Sequence, residues 1–223
     1  MSLSLQQEFI AYALKHQALR WGEFTLKSGR ISPYFFNAGH FNTGKCLAQL
    51  GRFYAKTIEQ SGMDFDMLVG PAYKGIPLVC ATVIALSEEY QKEVPYAFNR
   101  KEMKDHGEKS LWVGAPLAGR VLIIDDVITA GTAIRETMGL IQSAGATVGG
   151  VVVMLDRQEK GRGELSAIQE IENTYKIPVL KIAALEDLLV YVARDQHLAT
   201  VLASIQNYRM QYGVNLNHQG DSV

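Results

Sequence analysis

Residues 121 to 133 have the sequence VLIIDDVITAGTA, and the fold prediction for the whole chain starts from them. Residues 121 to 124 are apolar without polar alternation, a pattern typical of a parallel strand that helices cover on both faces. Asp125 and Asp126 would then stand at the carboxyl end of this strand. Open α/β sheets bind their ligands at that end, so the two adjacent carboxylates are placed for chemistry rather than for packing.

A small, hydroxyl-rich turn follows the two aspartates and predicts an anion-binding loop. Gly131 can take backbone angles that point successive amide hydrogens at an anion. Apolar residues spaced from Ile134 onward predict a helix directly after the turn, ending near Gly145. The first amides of that helix and the threonine hydroxyls would bind a phosphate, and the carboxylates favour hydroxyl groups beside it. Ribose 5-phosphate carries both groups, and the alternative is an acidic strand end beside an ordinary capped helix.

Composition and charge limit the classes of protein that the chain can represent. Its 223 residues suit one large domain, which buries roughly 70% of its unfolded surface. With 22 basic and 23 acidic residues, the formal net charge of -1 gives no general reason to expect nucleic acid or a membrane as a partner. Cys46 and Cys80 lie in apolar segments and predict reduced thiols in a cytoplasmic protein. The longest apolar run, 76–86, is too short for a membrane span, and the amino terminus lacks a signal-peptide layout.

The order of predicted elements indicates an α/β fold with an open, mainly parallel sheet flanked by helices and an N-terminal hairpin as a hood over the ligand. Helices are predicted over residues 4–18, 45–60, 76–90 and 186–194, from residue 134 and from residue 198. Strands are predicted over residues 24–26, 31–36, 65–69, 95–99, 121–124, 148–155 and 179–182. We expect a single domain, with a helix and hood at about 1–40, a ligand-binding core at about 62–185 and C-terminal helices at about 186–214.

Two further loops are predicted at the ligand edge of the sheet. GPAYKG, residues 70–75, follows the strand at 65–69 and is interpreted as a second anion-binding loop, with Lys74 adding charge. The alternative there is a turn with a solvated lysine. Arg157 follows the strand at 148–155, and an arginine can bind a carboxylate through two parallel hydrogen bonds.

The stretch RKEMKDHGEK, residues 100 to 109, is almost wholly charged. One interpretation is a solvated hairpin. The other is a lid whose Arg100, Lys101, Lys104 and His106 close over a polyanion and shield it from water. Acidic residues alternate with the basic ones, which weakens any interpretation as a nucleic-acid surface.

Residues 39 to 45 have the G-x-x-x-x-G-K spacing of a phosphate loop. The next position should be Ser or Thr to bind magnesium, and here it is Cys46. Pro33 and Asn37 also stand where a buried strand should precede the loop. Residues 42 and 43 are therefore predicted to open a helix, and an NTPase remains an alternative.

Four stretches of the chain are FTLKSGRISPYFFNAG, VGPAYKGIP, FNRKEMKDHGE and VLIIDDVITAGTAIRE, and LDRQEKGRGELSAIQE follows them. Together they resemble the orotate phosphoribosyltransferases of the bacterial, dimeric kind. The resemblance covers nearly the whole chain and implies the type I phosphoribosyltransferase fold. It also implies magnesium-dependent transfer of the 5-phosphoribosyl group of phosphoribosyl diphosphate (PRPP) to orotate. The products would be orotidine 5'-monophosphate and pyrophosphate, in de novo pyrimidine biosynthesis.

The resemblance implies a role for each matched residue. As catalytic residues it implies Lys104, His106, Arg100, Lys101, Asp125 and Asp126, the two acids on the ribose hydroxyls. As substrate-binding residues it implies Lys27, Phe35, Phe36 and Arg157 for orotate, Tyr73 and Lys74 for pyrophosphate, and Thr129, Ala130, Gly131, Thr132 and Ala133 for the 5-phosphate. The family's pyrophosphate loop often holds a non-proline cis peptide. Magnesium would be held mainly through PRPP and water rather than by protein ligands, and the catalytic loop would reach into the other subunit of a homodimer.

The sequence differs from the family pattern at one place, and two other functions are alternatives to the one that the resemblance implies. Glu108 is followed by Lys109 and Ser110, where the family pattern is E-G-G. A purine or uracil phosphoribosyltransferase would share the aspartate motif but would not need Lys27 and Arg157 for a base carboxylate. A non-catalytic PRPP-sensing regulator would lack the charged loop.

Overall fold

The computed structural model describes residues 3–102 and 111–215. The helices within these ranges are α1 (Leu5–Lys15), α2 (Gly44–Ser61), α3 (Gly75–Tyr90), α4 (Thr132–Ser143), α5 (Ala167–Tyr175), α6 (Leu185–Val192) and α7 (Ala199–Tyr212). The strands are β1 (Leu19–Thr25), β2 (Ile31–Phe36), β3 (Met67–Gly70), β4 (Tyr96–Asn99), β5 (Trp112–Gly114), β6 (Arg120–Ile124), β7 (Thr147–Asp156) and β8 (Val179–Ala184). Short 3-10 helices occur at Ala38–His40 and Gln196–Leu198.

Six strands form the central sheet in the order β5-β4-β3-β6-β7-β8. β5 runs antiparallel to β4, and every other neighbouring pair is parallel. From β3 the chain moves outward through α3 to β4, whereas β6 lies on the other side of β3 and leads through α4 to β7. The order of the strands therefore reverses between β3 and β6, which is where open α/β sheets form their ligand site.

The core lies on both faces of β6. Leu122 and Ile124 pack on the side of α1, α2, α3 and α6, whereas Val121 and Ile123 pack on the side of α4 and α5. All four side chains are fully buried. Burial stabilises each such side chain by about 1.5–3 kcal/mol. The apolar run of β6 is thus explained by helices on both faces, as its sequence predicts.

β1 and β2 form a separate antiparallel hairpin outside the parallel sheet, as predicted for the hood. The first strand begins at Leu19, five residues before its predicted start. Its register shifts between Trp21 and Phe24, and this irregularity hides the alternation on which the prediction depended. Phe36 anchors the hairpin, since its ring centroid lies 6.3 Å from that of Phe9 on α1.

The segment with phosphate-loop spacing, 39–45, begins inside the 3-10 helix Ala38–His40 and is not preceded by a strand of the parallel sheet. Thr43 caps α2, because its Oγ1 accepts a hydrogen bond from the Cys46 amide at 3.2 Å. This is the helix start that the sequence predicts. A phosphate loop requires a preceding strand, so this segment is a helix cap.

Several boundaries differ from the sequence predictions. β3 covers Met67–Gly70 rather than 65–69. β5 and α5 have no counterpart among the predicted elements. Within the described ranges, no helix combines the length and apolar character needed to cross a bilayer.

Candidate active site

The carboxyl ends of β3 and β6 bring two loops into direct contact. Gly75, which opens α3, makes the approach possible, since a Cβ there would lie 2.6 Å from Pro71 Cδ and 2.8 Å from the carbonyl oxygen of Ile124. Both distances are far inside van der Waals contact. The first loop, residues 71–74, and the second, residues 125–131, therefore form one continuous surface at the reversal point of the sheet.

Asp125 and Asp126 are buried at this edge, with 8% and 6% of their surfaces exposed. The Asp126 amide donates a hydrogen bond to Asp125 Oδ1 at 2.9 Å. Lys74 Nζ donates to Asp126 Oδ2 at 2.5 Å. Both aspartates stand where the sequence predicts them, and Lys74 joins the second predicted anion loop to the first.

Burial chiefly raises the pKa of Asp125 to about 7, and the neighbouring charge of Asp126 raises it further. The Asp126 amide and Lys74 oppose this rise by lowering the same pKa. Near neutral pH the carboxyl group of Asp125 is therefore close to its midpoint of ionisation. Donor groups of a ligand, such as sugar hydroxyls, would favour the charged form.

Tyr54 of α2 supports the aspartates from inside the core, although the sequence did not identify it. Its fully buried hydroxyl donates a hydrogen bond to the backbone carbonyl of Asp125 at 2.6 Å. A tyrosine on the buried face of an amphipathic helix needs such a partner. The sequence could therefore have indicated that the Tyr54 hydroxyl has a hydrogen-bond partner. It could not have indicated which carbonyl group accepts the hydrogen bond.

The turn after the aspartates has the form expected of an anion-binding loop. Gly131 has φ of 73° and precedes α4, and no side chain caps this helix start. Arg135 braces the turn by donating to the carbonyl of Ala130 at 2.8 Å and to Glu170 Oε2 at 2.9 Å. Uncapped amides at a helix start attract anions. The predicted phosphate residues of this turn are exposed, apart from the buried Gly131: Thr129, Ala130, Thr132 and Ala133.

The loop before α3 carries a non-proline cis peptide between Ala72 and Tyr73, as the resemblance led us to expect. Tyr73 is 66% exposed. The ammonium of Lys101 lies 5.0 Å from the centre of the Tyr73 ring. The structure thus brings the start of the charged stretch, with Arg100 half-buried after β4, to this loop. Lys104 and His106 lie outside the described residues.

Arg157 links the hood to the edge of the sheet. It follows β7, and its Nη2 donates to Ser32 Oγ of β2 at 3.1 Å. The same nitrogen lies 2.6 Å from Glu159 Oε1, and the guanidinium carbon lies 4.3 Å from the centre of the Tyr34 ring. Glu159 is a contact that the sequence analysis missed, even though it stands two residues from Arg157.

The other predicted residues of the hood point in different directions. Lys27 is exposed in the turn of the hairpin. Phe35 packs on Phe24 with ring centroids 5.4 Å apart, whereas Phe36 packs into the core on Phe9.

A cavity of about 400 Å³ opens between the aspartate edge and the chain that continues from the hood. Lys74 and Asp126 form one side of it, and the segment 38–44 forms much of the other. Pro77, Leu78 and Met154 contribute apolar surface. The cavity is therefore mostly apolar with a charged pair at one wall, which suits a flat organic ligand that carries polar groups.

Comparison with known proteins decides the family. Residues 40–175 match the model of the phosphoribosyl transferase domain. The chain is 61% identical over 209 residues to the orotate phosphoribosyltransferase of Cronobacter sakazakii, covering 94% of this chain and 98% of that protein. It is also 61% identical over 211 residues to the protein of the same name from Stutzerimonas stutzeri, with coverage of 94% and 98%. The chain belongs to the orotate phosphoribosyltransferase family.

A solved structure agrees with this assignment. The orotate phosphoribosyltransferase of Francisella tularensis superposes with a TM-score of 0.85 at 46% identity, covering 92% of this chain and 99% of that one. The family and the fold implied by the resemblance are therefore confirmed. PRPP and orotate are the substrates of the orotate phosphoribosyltransferase family. Because this chain belongs to that family, the alternative that it is an NTPase is excluded.

Protein ligands for a metal are sparse at the site. Across residues 3–102 and 111–215, no group of three or more His, Cys, Asp or Glu side chains could hold a metal ion. Asp125 and Asp126 are the acids at the carboxyl end of β6, and the second already pairs with Lys74. An ion that keeps most of its ligands from substrate oxygens and water fits this edge, whereas one that needs a complete protein cage does not.

Proposed function

We propose that the protein transfers the 5-phosphoribosyl group of PRPP to orotate and releases orotidine 5'-monophosphate and pyrophosphate, a step of pyrimidine biosynthesis. The observation that carries this proposal is the junction of two anion loops through Lys74 and Asp126, 2.5 Å apart. A phosphorylated ribose that bears a diphosphate needs both loops at once. The family membership of the whole chain supports the same reaction.

The ribose 5-phosphate part of PRPP is assigned to the aspartate edge and the turn after it. Asp125 and Asp126 would accept hydrogen bonds from the ribose hydroxyls. The amides from Thr129 to Ala133, at the uncapped start of α4, would bind the 5-phosphate. The hydrogen bond from Tyr54 supports the position of Asp125 from below.

The leaving pyrophosphate is assigned to the loop of Tyr73 and Lys74 and to the charged stretch after β4. In the reaction the bond between ribose C1 and the pyrophosphate oxygen breaks, and a bond from C1 to a ring nitrogen of orotate forms. The proton of that nitrogen passes to water or to the pyrophosphate. Negative charge builds on pyrophosphate while the ribosyl centre becomes cationic, so cations around the leaving group lower the barrier. Arg100, Lys101 and Lys104 would supply that charge, and His106 would donate a proton or a hydrogen bond to pyrophosphate.

Orotate is assigned to the space under the hood. The guanidinium of Arg157 would bind the carboxylate of orotate, in exchange for part of its present contact with Glu159. Lys27, Phe35 and Phe36 would bound the base from the hairpin. The cavity between residues 38–44 and Lys74 offers room for a flat ring beside Asp126, next to the segment that continues from the hairpin.

Magnesium is the proposed cofactor, held mainly by PRPP oxygens and water beside Asp125 and Asp126. When bound, it would supply positive charge to the diphosphate. We further propose that two chains form a homodimer in which the charged stretch of one serves the site of the other. Each chain would act as one domain, in the cytoplasm.

The acceptor base is tested by measuring pyrophosphate release from PRPP with orotate, uracil and hypoxanthine in parallel. The proposal predicts release with orotate and none above background with the other two bases, because neither carries a carboxylate for Arg157. Release of pyrophosphate with uracil or hypoxanthine but not with orotate would show that the acceptor is another base. Binding of PRPP without release for any base would indicate a regulator.

A further inference from the structure

Asn99, the last residue of β4, contacts both segments assigned to the leaving pyrophosphate. Its Oδ1 accepts a hydrogen bond from the Ala72 amide at 3.0 Å, within the loop that leaves β3. Its Nδ2 donates to the carbonyl of Arg100 at 3.3 Å, at the start of the charged stretch. One half-buried side chain thus uses both ends of its amide on two different loops.

The surrounding backbone makes this contact a junction between segments. β4 pairs with β3 on one side and with β5 on the other, where Asn99 stands opposite Trp112. The Arg100 amide donates to the carbonyl of Leu111 at 2.7 Å, which joins the two ends of the charged stretch. Asn99 therefore connects the loop after β3 to the point where the charged stretch begins and ends, at Arg100 and Leu111.

The neighbouring side chains place cationic groups on either side of the junction. Lys101 Nζ lies 5.0 Å from the centre of the Tyr73 ring, and Lys74 is the next residue along the loop. A shift of Ala72 relative to Arg100 would stretch one of the two hydrogen bonds that Asn99 makes. Asn99 thus contributes to the relative positions of Lys74 and Lys101, together with the pairing of β3 with β4 and the contact of Lys101 with Tyr73.

We propose that Asn99 is a positioning residue for the reaction, which holds the loop of residues 71–74 and the first cations of the charged stretch in one arrangement toward pyrophosphate. Asn99 acts on pyrophosphate through its two neighbours and is assigned no contact with the reacting atoms. The inference rests on the proposed function, because it takes residues 71–74 as the pyrophosphate loop.

The test compares two ligands, each of which is one part of PRPP and is assigned to one of the two anion loops. Isothermal titration with magnesium pyrophosphate and, separately, with ribose 5-phosphate is carried out on the wild type, Asn99→Ala and Asn99→Leu. The leucine variant fills the volume without hydrogen bonds, so it separates lost packing from lost positioning. Asn173→Ala, at an exposed asparagine of α5, is the control.

For both Asn99 variants we expect pyrophosphate affinity to fall about tenfold, because that change corresponds to the net contribution of one or two hydrogen bonds. Affinity for ribose 5-phosphate should stay within about twofold of wild type, since that ligand is assigned to the turn before α4. A loss shared equally by both ligands, or unchanged pyrophosphate affinity, would overturn the role of Asn99. A wild type that binds ribose 5-phosphate but no pyrophosphate would instead refute the loop assignment in the proposed function.

Discussion

Lys74 Nζ and Asp126 Oδ2 lie 2.5 Å apart and join the loops that follow β3 and β6. The two partners differ in environment, since the side chain of Lys74 is 62% exposed and that of Asp126 only 9%. The ion pair itself is screened by water on the lysine side. Asp126, by contrast, would keep a largely buried charge without compensation if Lys74 were removed. Lys74 is thus available to a ligand while it balances the acidic edge.

Replacement of Lys74 by methionine, which keeps the aliphatic stem, should lower kcat about 10²-fold and raise the KM for PRPP, because a preorganised charge at the leaving group is lost. Steady-state kinetics with PRPP and orotate measure both constants. Lys92→Met is the matched control, since Lys92 Nζ lies 2.6 Å from Glu59 Oε1 in a surface pair just beyond the end of α3. Equal kinetic losses in the two variants would refute a specific role for Lys74.

Asp125→Asn should stabilise the free protein at high pH while it lowers turnover. The folded-state pKa of Asp125 is about 7, above its usual 3.8. The folded protein therefore binds this proton more tightly than the unfolded chain, and the stability so gained is full below pH 3.8 and lost as the pH rises through 7. Asparagine does not titrate and can still accept the Asp126 amide.

The difference in unfolding free energy should therefore grow in favour of Asp125→Asn as the pH rises, by an amount on the order of 2–4 kcal/mol. Chemical denaturation at about pH 5 and pH 8.5 measures it on either side of the titration. A difference that is constant with pH, or that shrinks as the pH rises, would contradict the raised pKa of this carboxyl group.

Arg157→Lys should weaken the binding of orotate without weakening the binding of PRPP. A lysine cannot form the two parallel hydrogen bonds that a guanidinium offers to a carboxylate, so the KM for orotate should rise about 10–100-fold. Arg52→Lys provides the comparison, because Arg52 Nε also pairs with a carboxylate, at 2.8 Å from Glu89 Oε1, but on the surface. An unchanged KM for orotate would remove Arg157 from the orotate site.

Lys104→Ala should lower turnover with little change in orotate affinity, because the lysine is assigned to the leaving pyrophosphate and not to the base. Stopped-flow mixing gives the rate of the chemical step, and equilibrium titration gives the dissociation constant for orotate. Turnover equal to that of the wild type would take Lys104 out of its assigned role.

The elements that carry strong local patterns could be predicted from the sequence. The apolar run before Asp125 specified a strand buried on both faces, and the turn around Gly131 specified a helix start open to an anion. Thr43 was recognisable as a helix cap in spite of the phosphate-loop spacing around it. In each case the deciding interaction lies within a few residues along the chain.

The contacts that complete the site could not be predicted in the same way. Tyr54 and Asp125 are 71 positions apart, and Lys74 and Asp126 are 52 apart. Their pairing depends on which strands become neighbours, and no local pattern encodes that order. β5 was missed for a related reason: a strand of three residues, Trp112–Gly114, is stabilised by its pairing with β4 and has too few residues to show alternation.

The most direct test of the central claim is the ultraviolet absorbance of orotate after the purified protein is mixed with PRPP and magnesium. The wild type should consume orotate only when both PRPP and magnesium are present. A double variant, Asp125→Asn with Asp126→Asn, should lose nearly all of this activity while it remains folded. Consumption of orotate by the double variant at the wild-type rate, or none by the wild type, would contradict the account of this sheet edge as the site of phosphoribosyl transfer.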